Sequence, residues 1–325
     1  MDHDRSNHAA VLSRHQALVD KRVSDGQIRS SLVEKAFRAV PRHLFLPGVD
    51  LDAVYRDPAV TTKRQDGLGI SASSQPTIMA ILLEQLGLEP GQRVLEIGAG
   101  TGYNVALLAE IVGETGQVIT VDLDDVLVEA ARAHLASVGL HHVRVIYADG
   151  GLSYADGGPY DRIILTVGAW DIAPASREQL QPGGRIVLPL AVRSVQLSVA
   201  FAEADGHLES VSVRGCGFML LRGAFAAPTV EIPLGPSPGL SLAVDDPGAV
   251  DGAAVYQLLA GSRHDRTTRL AWDAAGRPGT DRLRIRADPV DSPRRPSFNE
   301  IVLAKRWTRL GFDWTWTAPH PSRYL

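Results

Sequence analysis

The stretch that most constrains this chain is Val94-Leu95-Glu96-Ile97-Gly98-Ala99-Gly100-Thr101-Gly102-Tyr103. Arg93 to Ile97 is a short apolar run of strand composition, three alternate glycines follow, and Tyr103 to Val112 reads as a helix. A strand running through Gly-x-Gly-x-Gly into a helix lets a ligand lie against bare backbone at the strand's C-terminal end. A Cβ would block that approach, and the turn can require positive φ, so glycine is the residue that serves.

The flanking sequence agrees. Gln117 to Val121 reads as a second strand and Val126 to Val138 as the helix after it; Val143 to Tyr147, Arg162 to Val167 and Arg185 to Leu190 read as three more strands, each bounded by Gly, Pro or Asp. Strands alternating with helices predict an α/β fold, a Rossmann-like doubly wound parallel sheet, over residues 75–225. Upstream, residues 1–74 form an N-terminal helical segment and a loop. Val11 to Val40 carries apolar residues at three- and four-residue spacing and closes at Pro41, whereas Phe45 to Ser74 reads as irregular. Residues 226–325 form an extra C-terminal subdomain that opens on a Pro- and Gly-rich stretch. Beyond it, Ala253 to Leu259 reads as a helix and Leu283 to Ala287 as a strand, and Trp272, Trp307, Trp314 and Trp316 argue that this part folds. Its slight basic excess, which includes Arg294-Arg295, fits either a surface for an acidic peptide or a solvated face over a small aromatic core.

Composition narrows the function. With 33 Lys+Arg against 37 Asp+Glu, the net charge of −4 argues against nucleic-acid binding by bulk electrostatics. One cysteine, Cys216, excludes internal disulfides and a cysteine zinc site; its apolar strand context reads as a buried filler. His141-His142 lacks a third ligand at useful spacing, so no metal is expected. No apolar run approaches the ~20 residues of a membrane span, and the polar N-terminus is unlike a signal peptide. A cytoplasmic protein is the expectation.

The acids around the glycines choose the ligand. A dinucleotide site would carry Gly-x-Gly-x-x-Gly to hold a pyrophosphate at the helix N-terminus, but the position three after Gly100 is Tyr103. Glu96, two before Gly98, suits a ligand with an ammonium and a sulfonium rather than a pyrophosphate. Asp122 ends the second strand, where a carboxylate can accept both ribose hydroxyls, and Leu123 follows it. Asp149-Gly150 ends the third strand, with Asp149 placed to reach an adenine amino group. Glu96, Gly98, Gly100, Thr101, Gly102 and Tyr103, with these residues of the next two strands, predict a site for S-adenosyl-L-methionine, leaving S-adenosyl-L-homocysteine as product.

From about Gln16 to Gly223 the chain resembles the protein-L-isoaspartate (D-aspartate) O-methyltransferases. The resemblance is carried by Ala39-Val40-Pro41-Arg42-His43-Leu44-Phe45, Val54-Tyr55-Arg56-Asp57, Ile70-Ser71-Ala72-Ser73-Ser74-Gln75-Pro76, Val94 to Tyr103, Asp149-Gly150, Tyr160-Asp161-Arg162-Ile163-Ile164 and Gln179 to Pro189. The glycine motif is shared widely among class I methyltransferases; the Ser-Gln-Pro segment is more particular to this family. The resemblance implies a class I S-adenosylmethionine-dependent methyltransferase with Ser74 as the active-site serine. By the same resemblance Ser73 is expected to be catalytic beside it, and Ser71, Gln75, Pro76 and Asp57 to bind the acceptor. Members usually read Thr-Ile-Ser-Gln/Ala-Pro, so the longer serine-rich version here is a departure, as are the last hundred residues. These departures resemble actinobacterial relatives of the FxLD type, associated with lanthipeptide and graspetide pathways, which methylate aspartate in ribosomally made peptides.

An acceptor carboxylate with a pKa near ~4 is ionised at pH 7 and needs no general base. Alignment then does most of the catalysis, and effective molarities can supply roughly 7–11 kcal/mol. Ser74 reads as an orienter that donates to one carboxylate oxygen; no Gly-x-Ser-x-Gly elbow surrounds it. Capping the helix that begins near Pro76 is the competing reading of Ser74. The expected product is a methyl ester that closes to a succinimide (aspartimide) and opens to aspartate or isoaspartate. The preference falls slightly on tailoring of a ribosomally made peptide, with generic L-isoaspartyl repair as the alternative. A small-molecule methyltransferase and a non-catalytic cofactor-binding scaffold are the remaining readings. The partner expected is a peptide or protein bearing Asp or isoAsp, with no nucleic acid and no membrane.

Overall fold

A computed structural model describes residues 2–65, 68–192, 195–227, 230–234, 241–244, 251–260, 266–268, 271–272, 278–279 and 283–285. The chain divides into two units, Met1–Ala227 and Pro228–Leu325.

The first unit begins with helices α1 (Asp2–Ser24) and α2 (Ser31–Ala39). α2 starts where the Ser30 side chain accepts the Val33 N–H, and it stops at Val40 because the residue before a proline is pushed out of the helical region. Its buried face is Val33, Ala36 and Phe37. The segment Phe45 to Ser74, expected to be irregular, is ordered. A single turn, α3 (Leu51–Val54), is capped by Asp50 and leads into an antiparallel hairpin of β1 (Val60–Gln65) and β2 (Leu68–Ser73). The signal was Asp66-Gly67, a hairpin-turn dipeptide itself outside the described residues. The polar run Thr61-Thr62-Lys63-Arg64-Gln65 hid it, because that strand has no apolar alternation.

α4 (Pro76–Leu86) follows, with proline at its first position and left-handed Gly87 (φ +57°) after its end. Then come β3 (Arg93–Ile97), α5 (Tyr103–Val112), β4 (Gln117–Asp122), α6 (Asp125–Ser137), β5 (Arg144–Tyr147), β6 (Tyr160–Leu165), α7 (Pro174–Glu178) and β7 (Leu180–Val192). β8 (Val195–Ala204) and β9 (His207–Cys216) complete a seven-stranded sheet of order β5-β4-β3-β6-β7-β8-β9. The five expected strands are all present, and β5 through β7 are mutually parallel. The expected wholly parallel sheet needs correction at one edge: β8 and β9 run antiparallel. They turn on each other at Asp205-Gly206, both at positive φ, the backbone that a tight hairpin with right-twisted strands requires.

Strand alternation divides the core into two layers. Val94, Val118 and Ile164 join Phe37, Leu82 and Leu107 in one, while Leu95, Ile119 and Ile163 join Leu188 in the other. β3 sits where the strand order reverses, with β4 on one side and β6 on the other. A crevice therefore opens beyond its C-terminal end.

In the second unit, β10 (Val230–Pro233) pairs antiparallel with β11 (Ser241–Val244), and α8 (Gly252–Ala260) begins where Asp251 accepts the Ala253 and Ala254 N–H groups. The strand expected at Leu283 is described over Leu283–Ile285 and pairs with Arg266–Thr268. Trp307, Trp314, Trp316 and Arg294-Arg295 lie outside the described residues. Among the described residues no helix is long and apolar enough to cross a membrane.

Asp57 fastens the helical layer to the start of α4. Its Oδ1 accepts from Arg22 Nη1 at 2.8 Å, from the Thr77 N–H at 3.0 Å and from Thr77 Oγ1 at 2.7 Å. Replacing Asp57 with Ala leaves the nearly buried Arg22 without its anion and the first turn of α4 without an acceptor. A loss of about 2 kcal/mol is expected, measured as a lowered urea midpoint with an unchanged m-value.

Candidate functional site

β4 holds the glycine turn. The Gly98 and Ala99 N–H groups donate to Val121 O at 2.8 and 3.3 Å, and the Gly100 N–H donates to Asp122 Oδ2 at 3.1 Å. Gly98, Gly100 and Gly102 stand at φ +104°, +52° and +85°, where a side chain is strained. Their surroundings differ. A Cβ on Gly98 would lie 2.7 Å from Thr166 Oγ1, and one on Gly102 would lie 3.4 Å from Ala131 of α6. At Gly100 the nearest heavy atom would be Ala72 O at 4.0 Å. Gly98 and Gly102 thus serve packing, and Gly100 is the bare backbone a ligand can approach. Thr101 is buried; its Oγ1 accepts the Tyr103 N–H at 3.4 Å, and its carbonyl accepts from His134 Nδ1 at 2.9 Å.

The acids divide into three environments. Asp122 is half-buried at the strand end, with Oδ1 accepting the Asp124 N–H at 3.1 Å and Oδ2 accepting that of Gly100. A carboxylate oxygen takes two donors, so each keeps a lone pair for a hydroxyl. Burial pushes this carboxyl upward against those two hydrogen bonds. Exposed Leu123 follows, an apolar surface beside the acid. Glu96 differs from expectation: it is fully buried, accepting from Asn104 Nδ2 at 2.7 Å and Thr120 Oγ1 at 2.6 Å. Even-numbered β3 side chains point into the sheet–helix layer, so Glu96 braces α5 against β4 and does not line the open end. Burial raises its pKa to about 7. Asp149 is held by the Gly151 N–H at 2.8 Å and by the Ala224 N–H at 2.7 Å, so the segment after β9 lies against it. Gly150 has a packing role: a Cβ there would come 2.3 Å from Ile97 Cγ2. Tyr103 is also corrected. It is buried, with its ring 6.4 Å from Phe37 and 5.6 Å from Phe45 between centroids, which makes it a core residue.

On the acceptor side, Ser71, Ser73 and Ser74 do not share one environment. Ser71 is buried and accepts from Thr62 Oγ1 across the hairpin at 3.0 Å. Ser73 is buried and accepts from Arg42 Nη2 at 3.3 Å. Ser74 is half-exposed, and of the two serines expected to be catalytic only its hydroxyl is left open to an acceptor. The capping reading of Ser74 fails, because Gln75 is the cap residue of α4 and the first-turn Thr77 N–H is accepted by Asp57. Pro76 is buried as the first residue of that helix. Asp57, expected on the acceptor side, is committed to Arg22 and Thr77, and its charge would repel an acceptor carboxylate.

The hairpin reaches over this end of the sheet. Ala72 faces Gly100, and Lys63 Nζ pairs with Asp124 at 2.5 Å, the same residue that caps α6 through the Val126 and Leu127 N–H groups. From the far side, the Met219 side chain approaches Gly69. Arg42, His134 and Lys63 hold these segments in place by hydrogen bonds that sequence reasoning passed over. Arg42 stood in a quoted motif, but no spacing rule carries it to Ser74, 32 residues away.

Residues 13–224 match the family model described as protein-L-isoaspartate (D-aspartate) O-methyltransferase. The protein-L-isoaspartate O-methyltransferase of Methanopyrus kandleri is 40% identical over 210 residues, 64% of this chain and 91% of that one. That of Hyperthermus butylicus is 39% identical over 217 residues, 64% and 88% of the two chains. A solved protein-L-isoaspartate O-methyltransferase superposes with a TM-score of 0.60 at 31% identity, covering 65% of this chain and 67% of that one. A Plasmodium falciparum relative, solved with S-adenosyl-L-homocysteine, shares the fold with a TM-score of 0.57 at 18% identity, covering 64% and 98%. The fold is that of the class I S-adenosylmethionine-dependent methyltransferases.

Because the folded protein holds Glu96 protonated up to about pH 7 while the unfolded chain releases that proton near 4.5, the folded state binds more protons between those values. This residue's contribution to stability therefore falls as pH rises across that window and is level above it. Glu96→Gln should remove that slope, read as the difference between wild-type and variant urea midpoints at pH 5, 6, 7 and 8.

Proposed function

The chain belongs to the protein-L-isoaspartate (D-aspartate) O-methyltransferase family, a family of S-adenosyl-L-methionine-dependent methyltransferases, and from that premise we propose that it methylates the free α-carboxylate of an isoaspartyl residue in a protein or peptide. The observation that carries this reading is the meeting of two open surfaces. The bare Gly100 backbone faces Ala72, and half-exposed Ser74 lies two residues further along the same chain segment.

When bound, the cofactor supplies an electrophilic methyl on a sulfonium. The chain's residues would hold it by Gly100, by the free lone pairs of Asp122 on the ribose hydroxyls, and by the apolar surface of Leu123. Asp149 and Gly150 would close the base end through their backbone framework. Ser74 donates its hydroxyl hydrogen to one acceptor oxygen and leaves the other to attack. No base is required, since the acceptor is already an anion at neutral pH. The ester formed is a better electrophile than the carboxylate. The nitrogen of the following residue displaces methanol and closes a succinimide, which opens to aspartate or isoaspartate.

The slight preference for tailoring of a ribosomally made peptide is not supported. The relatives that match are named for the isoaspartyl reaction, and the match ends at residue 224, before the second unit. Generic isoaspartyl methylation, the alternative reading of the sequence, is the one these relatives favour. The second unit as a peptide-holding module is part of this proposal, motivated by its position outside the family match.

The test is labelled cofactor with a generic isoaspartyl peptide and its aspartyl isomer, followed as base-labile methyl ester and released methanol. Turnover of the isoaspartyl peptide alone is expected; methylation of neither peptide in a protein that binds S-adenosyl-L-homocysteine would sink the reading. Ser74→Ala should lower kcat about tenfold or more, the value of one positioned hydrogen bond to a charged group, with cofactor Kd by calorimetry nearly unchanged.

A further inference from the structure

Among the described residues, Arg42 is the largest wholly buried side chain. It lies in a 3-10 turn at Arg42–Phe45 that follows α2. Its Nη1 donates to Val54 O at 2.7 Å and to Arg56 O at 3.3 Å, and its Nη2 donates to Ser73 O at 3.2 Å, Ser73 Oγ at 3.3 Å and Ser74 O at 2.9 Å. Its Nε is buried with no acceptor. One guanidinium thus joins the turn after α2, the end of α3 and the junction between β2 and α4.

Every one of these partners is neutral. The titratable groups within electrostatic reach are Tyr103, Asp57 and Tyr55. Burial keeps both phenols protonated, with Tyr55 raised to about 12. Asp57 is already in contact with Arg22, 2.8 Å away. Two buried guanidiniums therefore share one carboxylate, and one positive charge beside Ser73 and Ser74 has no counter-ion among the described residues. A buried unpaired charge is costly, and hydrogen bonds to carbonyls offset only part of that cost.

We propose that Arg42 is a positioning residue: its fork fixes the Ser73–Ser74 backbone, and its unbalanced charge draws the acceptor carboxylate to Ser74, so that the substrate supplies the missing anion. The guanidinium is sealed from solvent and acts through its field and its grip on the backbone, without touching the acceptor. Interactions of this kind are strong where water is excluded. The inference rests on the carboxyl-methyltransferase reading above and adds to it the group that selects a carboxylate over its neutral isostere.

Wild type, Arg42→Lys and Arg42→Gln are compared for calorimetric binding of S-adenosyl-L-homocysteine, for kcat and KM with the isoaspartyl peptide, and for inhibition by the same peptide with its acceptor carboxyl amidated. Wild type should bind the amide at least about tenfold more weakly than the acid, the order expected when a charged partner is removed. Arg42→Gln should keep cofactor Kd within about threefold, lose that acid-over-amide preference and raise KM. Arg42→Lys should retain the preference and lose kcat, because a point charge cannot fork to several carbonyls. A merely structural residue would lower cofactor affinity and kcat together and leave the acid-to-amide ratio alone, and that result overturns the proposal. If Arg42→Gln does not fold, the wild-type comparison decides, since equal binding of acid and amide refutes an unbalanced cation. A wild type that binds cofactor but methylates no carboxylate peptide refutes the proposed function instead, and this inference falls with it.

Discussion

Three consecutive amides of the turn after β3 are donated to the end of β4, two to the Val121 carbonyl and one to the Asp122 carboxylate. This clamp is the constraint from which the rest follows. A turn with glycines at positive φ would otherwise sample many backbones, since glycine loses more freedom on folding than any other residue. Fastening it to the neighbouring strand gives Gly100 one place, uncovered apart from the Ala72 carbonyl, while Gly98 and Gly102 are consumed in packing against Thr166 and Ala131. His134 of α6 secures the Thr101 carbonyl from the other side. The site is therefore a property of the sheet and its two adjoining helices, with little left to the loop itself.

The acceptor half is built on a different logic. The hairpin of β1 and β2 crosses the sheet end and delivers Ser74 to the start of α4. What fixes it is charge: the buried Arg42, the Arg22–Asp57–Thr77 contact at the helix start, and the partly exposed Lys63 on Asp124 at the hairpin's first strand. Hydrogen bonds to ionised groups are shorter and stronger than neutral ones, and they are directional where apolar packing is not. Apolar layers set the fold; these ionic contacts set where a single hydroxyl stands.

The sheet was legible because its strands are short apolar runs punctuated by glycine, proline and aspartate, and the boundaries of β3 and α5 were read as observed. The hairpin was not legible, because Thr61 to Gln65 is polar on both faces and shows no period of two. The antiparallel edge was missed for a related reason: β9 is largely exposed, and its composition resembles a loop. Among residues expected at the site, Asp122 and Ser74 reach solvent. Glu96 and Tyr103 do not, because the direction of a side chain at a strand end or helix start depends on the layer it meets, which a motif does not encode. Arg42 shows the converse limit. Its importance lies in the carbonyls of residues 54, 56, 73 and 74, and no local pattern announces a contact made to backbone so far along the chain.

Asp124 closes α6 with its carboxylate, pairs with Lys63 of the hairpin, and gives its own N–H to Asp122. One short corner thus serves a helix end, a hairpin anchor and the acid that ends β4 at once. Such a corner leaves substitution little room: a change at Asp124 would disturb the helix end, the hairpin anchor and the setting of Asp122 together.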